Sequence, residues 1–130
     1  FVASHSNARA ICGHVRYLTD EMIRGIALKG GVIGMNFAPA FLREEASWGS
    51  PKAVSVTDVV RHIRHMIQIG GIDCVGLGSD LDGCRISFEI ESAADMPLLV
   101  DALSGEGFTD GEIEKICWGN VLRLYKEVLR

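Results

Sequence analysis

The chain has 130 residues, of which 48% are hydrophobic and 23% charged, and its formal net charge at pH 7 is -4. This size and composition are those of one globular domain, spanning residues 1–130, and they exclude a two-domain or a disordered chain. The net negative charge gives no electrostatic basis for binding nucleic acid, and no apolar run approaches the ~20 residues of a transmembrane helix.

The chain begins with an apolar stretch, Phe1 to Ala3, which predicts a strand that ends just before His5. Ser6 or Asn7 could cap the N-terminus of a short helix predicted over residues 8–12, because either side chain can accept from the free amides of a first turn. His5 is therefore predicted at the carboxyl end of a strand.

A helix and a second strand are predicted next. Thr19 is a candidate N-cap for a helix over residues 19–29, and Gly30 follows its end. Gly31 to Phe37 predicts a buried strand, and residues 38–54 form a polar, irregular stretch whose length favours a functional loop over a simple connector. Asn36 lies near the end of this second strand.

Residues 57–69 predict an amphipathic helix, since Val59, Ile63 and Met66 fall on one side at 100° per residue. A third short strand follows at residues 75–77 and leads into a turn with two carboxylates, Asp80 and Asp82. Taken by itself, this stretch is better explained as a turn at Asp82 and Gly83, with Asp80 capping the loop.

The last third of the chain predicts helices. One covers residues 93–103 with a proline in its first turn, and Thr109 and Glu112 have the spacing of a capping box that begins the final helix. Gly119 is expected to bend or split this helix.

Alternating strands and helices predict a parallel sheet with right-handed crossovers. Three parallel strands do not make a stable sheet alone, because both faces and both edges need cover. The chain also begins without Met, at a predicted strand. We therefore expect an α/β segment of a larger barrel or open sheet.

Polar side chains follow all three predicted strands. In a parallel sheet His5, Asn36 and Asp80 would lie at one edge, and histidine with aspartate is the combination that metal hydrolases use. His14, His62 and His65 lie outside this set and are expected to have structural roles.

Five sequence blocks resemble those of the membrane (renal) dipeptidase family, zinc metallopeptidases built on a (β/α)8 TIM-type barrel. The blocks match in order and spacing over nearly the whole chain. They are SHSN at 4–7, HVRYLTDE at 14–21, GGVIGMNF at 30–37, GLGSDLDG at 76–83 and WGNVLRL at 118–124. The resemblance implies the C-terminal part of the barrel, with strands six to eight and their helices.

The resemblance also implies roles for three residues. His5 is similar to a metal ligand of the family's two-zinc site, and Arg16 to the arginine that binds the terminal carboxylate of a dipeptide substrate. Asp80 resembles the acid that handles protons as the peptide bond breaks. Family members often accept a D-residue at the C-terminal side and typically form homodimers.

Two departures from the family pattern stand out. Tyr17 follows Arg16 where the family usually has Asn, and the family's other metal ligands precede residue 1. The chain would thus need the remaining N-terminal barrel segment as a partner. Two alternatives stay open, namely a non-catalytic, truncated remnant of the fold and another barrel metallohydrolase.

The cysteines bear on the compartment. The four of them are widely spaced and form no Cys-x-x-Cys pair, so neither a zinc knuckle nor a disulfide framework is indicated. Buried thiols of this kind suit a reducing compartment, and we expect a cytoplasmic location.

Overall fold

A computed structural model describes residues 1–46, 54–84 and 88–129. These residues contain a parallel sheet of three strands, β1 (Val2–Ala3), β2 (Val32–Met35) and β3 (Val75–Leu77), in that spatial order. Val2 pairs with Val32, and Ile33 pairs with Val75. The predicted strands and their parallel arrangement are confirmed, whereas residues 47–53 of the predicted polar loop lie outside the described residues.

The helices begin and end close to their predicted bounds. They are α1 (Asp20–Leu28), α2 (Val56–Gly70), α3 (Met96–Gly105), α4 (Asp110–Glu114) and α5 (Asn120–Val128). The Thr19 hydroxyl caps α1 by accepting from the amide of Met22, and the Thr109–Glu112 capping box begins α4. Lys115–Gly119 forms a π-helical turn between α4 and α5, which confirms the predicted break at Gly119.

The core lies between the sheet and the helices. All four residues of β2 are buried, because β2 is the central strand and is covered by helices. Ile23, Ile63 and Leu99, from α1, α2 and α3, are fully buried in the same cluster. Burying each such side chain contributes roughly 1.5–3 kcal/mol, so this packing holds the strand ends in place.

One local prediction is wrong. Residues 8–12 form a turn and not a helix. The Leu18 amide donates to the Asn7 carbonyl, and the Arg9 amide donates to the Leu18 carbonyl. The structural role predicted for His65 is confirmed, since its Nε2 lies 2.8 Å from Oδ1 of Asp20 on the neighbouring α1.

Both flanks of the sheet expose apolar side chains. Beside β1 an apolar groove is lined by residues that include Phe1, Leu18 and Met22. On the side of β3, Trp118, Leu122 and Tyr125 follow one another at helical spacing and are 51%, 39% and 55% exposed. Such surfaces mark places where another part of a protein packs. No helix in the described part of the chain is long and apolar enough to cross a membrane.

Candidate active site

The ends of the three strands approach one another at a single backbone carbonyl. The oxygen of Ser4, just after β1, lies against Gly34 of β2 and Gly78 beyond β3, and a Cβ on either glycine would overlap it. Glycine is therefore required at both positions. This close approach brings the residue that follows Ser4, His5, to the edge where β2 and β3 end.

Asn36 and Asp80 meet at that edge. Nδ2 of Asn36 donates to Oδ2 of Asp80 at 3.0 Å, and Oδ1 of Asn36 accepts from the amide of Ala38 at 2.7 Å. Asn36 is only 1% exposed, whereas Asp80 is partly exposed. The predicted meeting of polar side chains at the strand ends is thus confirmed for this pair.

A second buried asparagine holds Asn36. The amide of Asn36 donates to Oδ1 of Asn7 at 3.0 Å, and Nδ2 of Asn7 donates to the carbonyl oxygens of Asn36 at 3.2 Å and Phe41 at 2.8 Å. Asn7 is fully buried and lies two residues after His5. It therefore ties the segment after β1 to the segment after β2, and does not cap a helix.

The turn after β3 has an uncommon backbone. Asp80 and Asp82 have φ angles of 66° and 67°, in the left-handed region that non-glycine residues seldom enter. The Asp80 carbonyl accepts from the amides of Gly83 and Cys84 at 3.1 and 3.3 Å. Asp82 is exposed, whereas Asp80 is only partly exposed.

His5 is partly exposed, and its Nδ1 lies 2.8 Å from Oγ of Ser4. In the tautomer in which Nδ1–H donates to this hydroxyl, the lone pair of Nε2 is available to a metal. Within the described ranges, no three His, Cys, Asp or Glu side chains lie together as a metal site would require. His5 can therefore supply one ligand but not a complete site.

Arg16 lies on an aromatic cluster formed by His14, Tyr17 and Phe41. Its guanidinium carbon is 5.2 Å from the centre of the Phe41 ring, and its backbone amide donates to Nδ1 of His14 at 3.2 Å. The Arg16 side chain is exposed, so its donors can reach a ligand. Phe41 in turn is joined to Asn7 through its carbonyl, which connects the arginine to the asparagine pair.

Tyr17 is buried beneath Arg16. It is 2% exposed, and its ring meets Phe41 edge-on with centroids 5.3 Å apart. Its hydroxyl is buried and has no hydrogen-bond partner among the described residues. Burial raises the pKa of this phenol far above its usual range. Tyr17 thus packs against Phe41, the ring over which Arg16 lies, and presents no polar group at the surface of this chain.

His62 of α2 fixes the two segments behind the site. Its Nδ1 accepts from the amide of Ala8 at 3.2 Å, and its Nε2 donates to the carbonyl of Leu42 at 3.1 Å. The ring is fully buried, and this burial lowers its pKa to about 4. The structural role predicted for His62 is confirmed, and it requires a neutral imidazole.

Sequence reasoning missed two residues at this edge. Asn7 was treated as a helix cap, and Phe41 was placed in an irregular loop, although Pro39–Phe41 forms a short 3-10 helix. The sequence draws attention to Asn7 through the SHSN block and as one of two candidate helix caps. Nothing in the local sequence indicated that its partners lie 29 and 34 residues away.

Three comparisons bear on the identity of this arrangement. The family model of membrane dipeptidase (peptidase family M19) matches residues 1–130. An uncharacterized protein from the pqqA 5′ region of Klebsiella pneumoniae is 42% identical over 127 residues, which cover 98% of this chain and 46% of that protein. Dipeptidase tcpJ of Claviceps purpurea is 32% identical over 128 residues, or 98% of this chain and 29% of that protein.

A solved structure has the same fold over nearly the whole chain. It is the metallo peptidase of Rhodobacter sphaeroides liganded with a phosphinate mimic of the dipeptide L-Ala-D-Ala, with 37% identity and a TM-score of 0.87. The match covers 96% of this chain and 35% of that structure. The chain therefore spans less than half the length of each of these relatives.

Proposed function

The chain belongs to the membrane dipeptidase family, and on this basis we propose that it forms the C-terminal part of a zinc-dependent dipeptidase with a (β/α)8 barrel. The observation that carries the proposal is the Asn36–Asp80 hydrogen bond at the carboxyl end of a parallel sheet. Barrel enzymes place their catalytic side chains at this end of the strands.

The exposed flanks of the sheet support the barrel. The groove beside β1 leaves the edge of that strand and the side chain of Met22 uncovered, and Trp118 and Tyr125 are half exposed on the helical segment that packs against β3. In a closed barrel a further strand and helix would cover each flank, which removes both the apolar surface and the open sheet edges. We propose that the remaining barrel segment does so.

This chain can supply one ligand to a metal. His5 would contribute an imidazole nitrogen, and the other ligands would come from the remaining barrel segment. When bound in such a site, zinc polarises a carbonyl and promotes the ionisation of water. The homodimer implied by the family resemblance and the cytoplasmic location both remain predictions.

Arg16 and Asp80 would have different roles toward the substrate. The exposed guanidinium of Arg16 presents paired donors that suit both oxygens of a carboxylate, so it would bind the terminus of a dipeptide. The partly exposed carboxylate of Asp80 would take a proton from the attacking water and return it to the leaving amine. Fixing both groups on one scaffold aligns the peptide bond between them.

The substrate class follows from the solved relative. Because that metallo peptidase binds a mimic of L-Ala-D-Ala, we propose that dipeptides with a D-residue at the C-terminal side are accepted here as well.

Hydrolysis of L-Ala-D-Ala with added zinc tests the proposal. The chain is assayed alone and as a fusion to the N-terminal barrel segment of a homologous dipeptidase. This joined protein is called the barrel-complete protein. Activity in the joined protein, and its loss with a chelator, is the expected result. Absence of hydrolysis in a joined protein that folds and binds zinc would contradict the proposal.

One observation favours a second candidate. Because no three-ligand metal cluster exists within the described ranges, the chain by itself would be a non-catalytic remnant of the fold. Zinc stoichiometry separates the two candidates, since a joined protein in which this chain supplies no ligand should bind less zinc than one in which His5 is a ligand. A wider panel of amide and ester substrates would separate a dipeptidase from another barrel metallohydrolase.

A further inference from the structure

We infer that Asn36 is the positioning residue for Asp80, and that its amide nitrogen sets the orientation in which the carboxylate exchanges protons. This inference rests on the proposed function, because it assigns Asn36 a task only if Asp80 acts on the substrate. No sequence motif indicated it, since the two residues are 44 positions apart.

The orientation of the Asn36 side chain is fixed in one direction. Its Oδ1 accepts from the amide of Ala38 at 2.7 Å, so a flipped amide would place its NH2 group against another N–H group. Its backbone is held on both sides by Asn7, and the residue is 1% exposed. The contacts of Asn36 with Ala38 and Asn7 therefore direct its Nδ2 at Asp80, and Asp80 takes no part in them.

Asp80 needs such a support. Its φ angle of 66° lies in the left-handed region, where a non-glycine residue is held only by its surroundings. The hydrogen bond from Asn36 occupies Oδ2, whereas Oδ1 accepts no hydrogen bond from any described residue. One carboxylate oxygen is thus anchored, and the other remains for a water or a substrate proton.

Loss of the anchor should affect the rate and not the binding. Without the Nδ2 donor the carboxylate can rotate about χ2, and misplacement of a catalytic group by about 1 Å lowers rates by about 100-fold. Substrate binding through Arg16 and zinc binding through His5 do not involve this contact. The expected signature is a lower kcat with an unchanged KM.

The test compares Asn36→Ala with Asn120→Ala in the barrel-complete protein. Asn120 is a matched control, because it is also buried and its Nδ2 donates to the carbonyls of Ile72 and Val75 behind the sheet. Both variants should unfold at a lower temperature. Only Asn36→Ala should lower kcat, by about 10–100-fold, with KM and zinc content unchanged.

A double-mutant cycle with Asp80→Ala completes the test. If Asn36 acts through Asp80, adding Asn36→Ala to the Asp80→Ala variant should reduce the residual kcat by less than twofold, and the losses of Tm should be less than additive. An unchanged kcat in Asn36→Ala, or a further tenfold loss on the Asp80→Ala background, would overturn the inference.

The two ways of failing are distinguishable. A barrel-complete protein that folds and binds zinc but hydrolyses no dipeptide overturns the proposed function and, with it, the catalytic task of Asn36. Additive losses of Tm in the unfolding cycle overturn the Asn36–Asp80 contact itself, whatever the activity of the natural protein is.

Discussion

Nδ2 of Asn36 lies 3.0 Å from Oδ2 of Asp80, and this single hydrogen bond joins the ends of the second and third strands of the sheet. The same asparagine is bound through its backbone to Asn7, which follows the first strand. All three strand ends are therefore connected by side chains that no local pattern relates to one another.

Replacing His5 by Ala should remove zinc. Since its imidazole is the metal ligand that this chain is proposed to supply, the barrel-complete protein should lose about one equivalent of zinc and most of its hydrolytic activity. Metal analysis after gel filtration measures the loss. His14→Ala is the control, because His14 bonds the Arg16 amide and should leave the zinc content unchanged.

Replacing Arg16 by Ala should raise KM for a dipeptide by about 10–100-fold, because a charge-assisted hydrogen bond contributes about 1.5–3 kcal/mol. The zinc content should not change. Arg16→Lys should give an intermediate value, since a lysine keeps the charge but not the paired donors. Arg24→Ala, at an exposed position of α1, is the control. Equal zinc loss in the Arg16 and His5 variants would contradict both assignments.

Replacing Tyr17 by Phe should leave the free energy of unfolding unchanged or raise it by about 1 kcal/mol. The substitution keeps the buried ring and removes a buried hydroxyl that has no partner in the described part of the chain. Tyr17→Ala should instead lower the free energy of unfolding by about 3–5 kcal/mol, because packing against Phe41 is lost. Denaturant titration measures both. A destabilised Tyr17→Phe variant would mean that the hydroxyl is bonded in the complete protein.

Replacing Gly34 or Gly78 by Ala should destabilise the sheet by more than about 2 kcal/mol. The new methyl group would overlap the Ser4 carbonyl, and backbone atoms cannot move aside as a flexible side chain does. Gly111→Ala is a matched control, because a Cβ there meets nothing within 4 Å. It should be neutral or stabilising. Thermal unfolding compares the three variants, and similar Tm values would contradict the close approach.

Stability should fall in acid because of His62. Its pKa is about 6.5 when unfolded and is lowered to about 4 in the folded chain, so the unfolded state binds the proton first. The contribution of neutral His62 to the free energy of unfolding is fully present above pH 6.5. It is lost as the pH falls toward 4, by about 3 kcal/mol in all. The free energy of unfolding, plotted against pH over this range, should have a smaller slope in the His62→Gln variant. An unchanged slope would contradict the assignment.

The sequence by itself determined the elements and their order. Hydrophobic periodicity and capping residues locate α1, α2 and the last helices within a few residues, because these signals depend only on near neighbours along the chain. The alternation of strands and helices determined the parallel sheet, and the motif blocks led to the family. The sequence also placed His5, Asn36 and Asp80 at strand ends.

Only the tertiary structure decided which of these side chains touch. The Asn7–Asn36 and Asn36–Asp80 contacts span 29 and 44 residues, and they depend on the strand register and on the close approach of Ser4 to two glycines. The same holds for Tyr17, whose ring is buried by packing with Phe41. Long-range contacts of this kind arise when several elements pack at once, so no local segment of the sequence contains them.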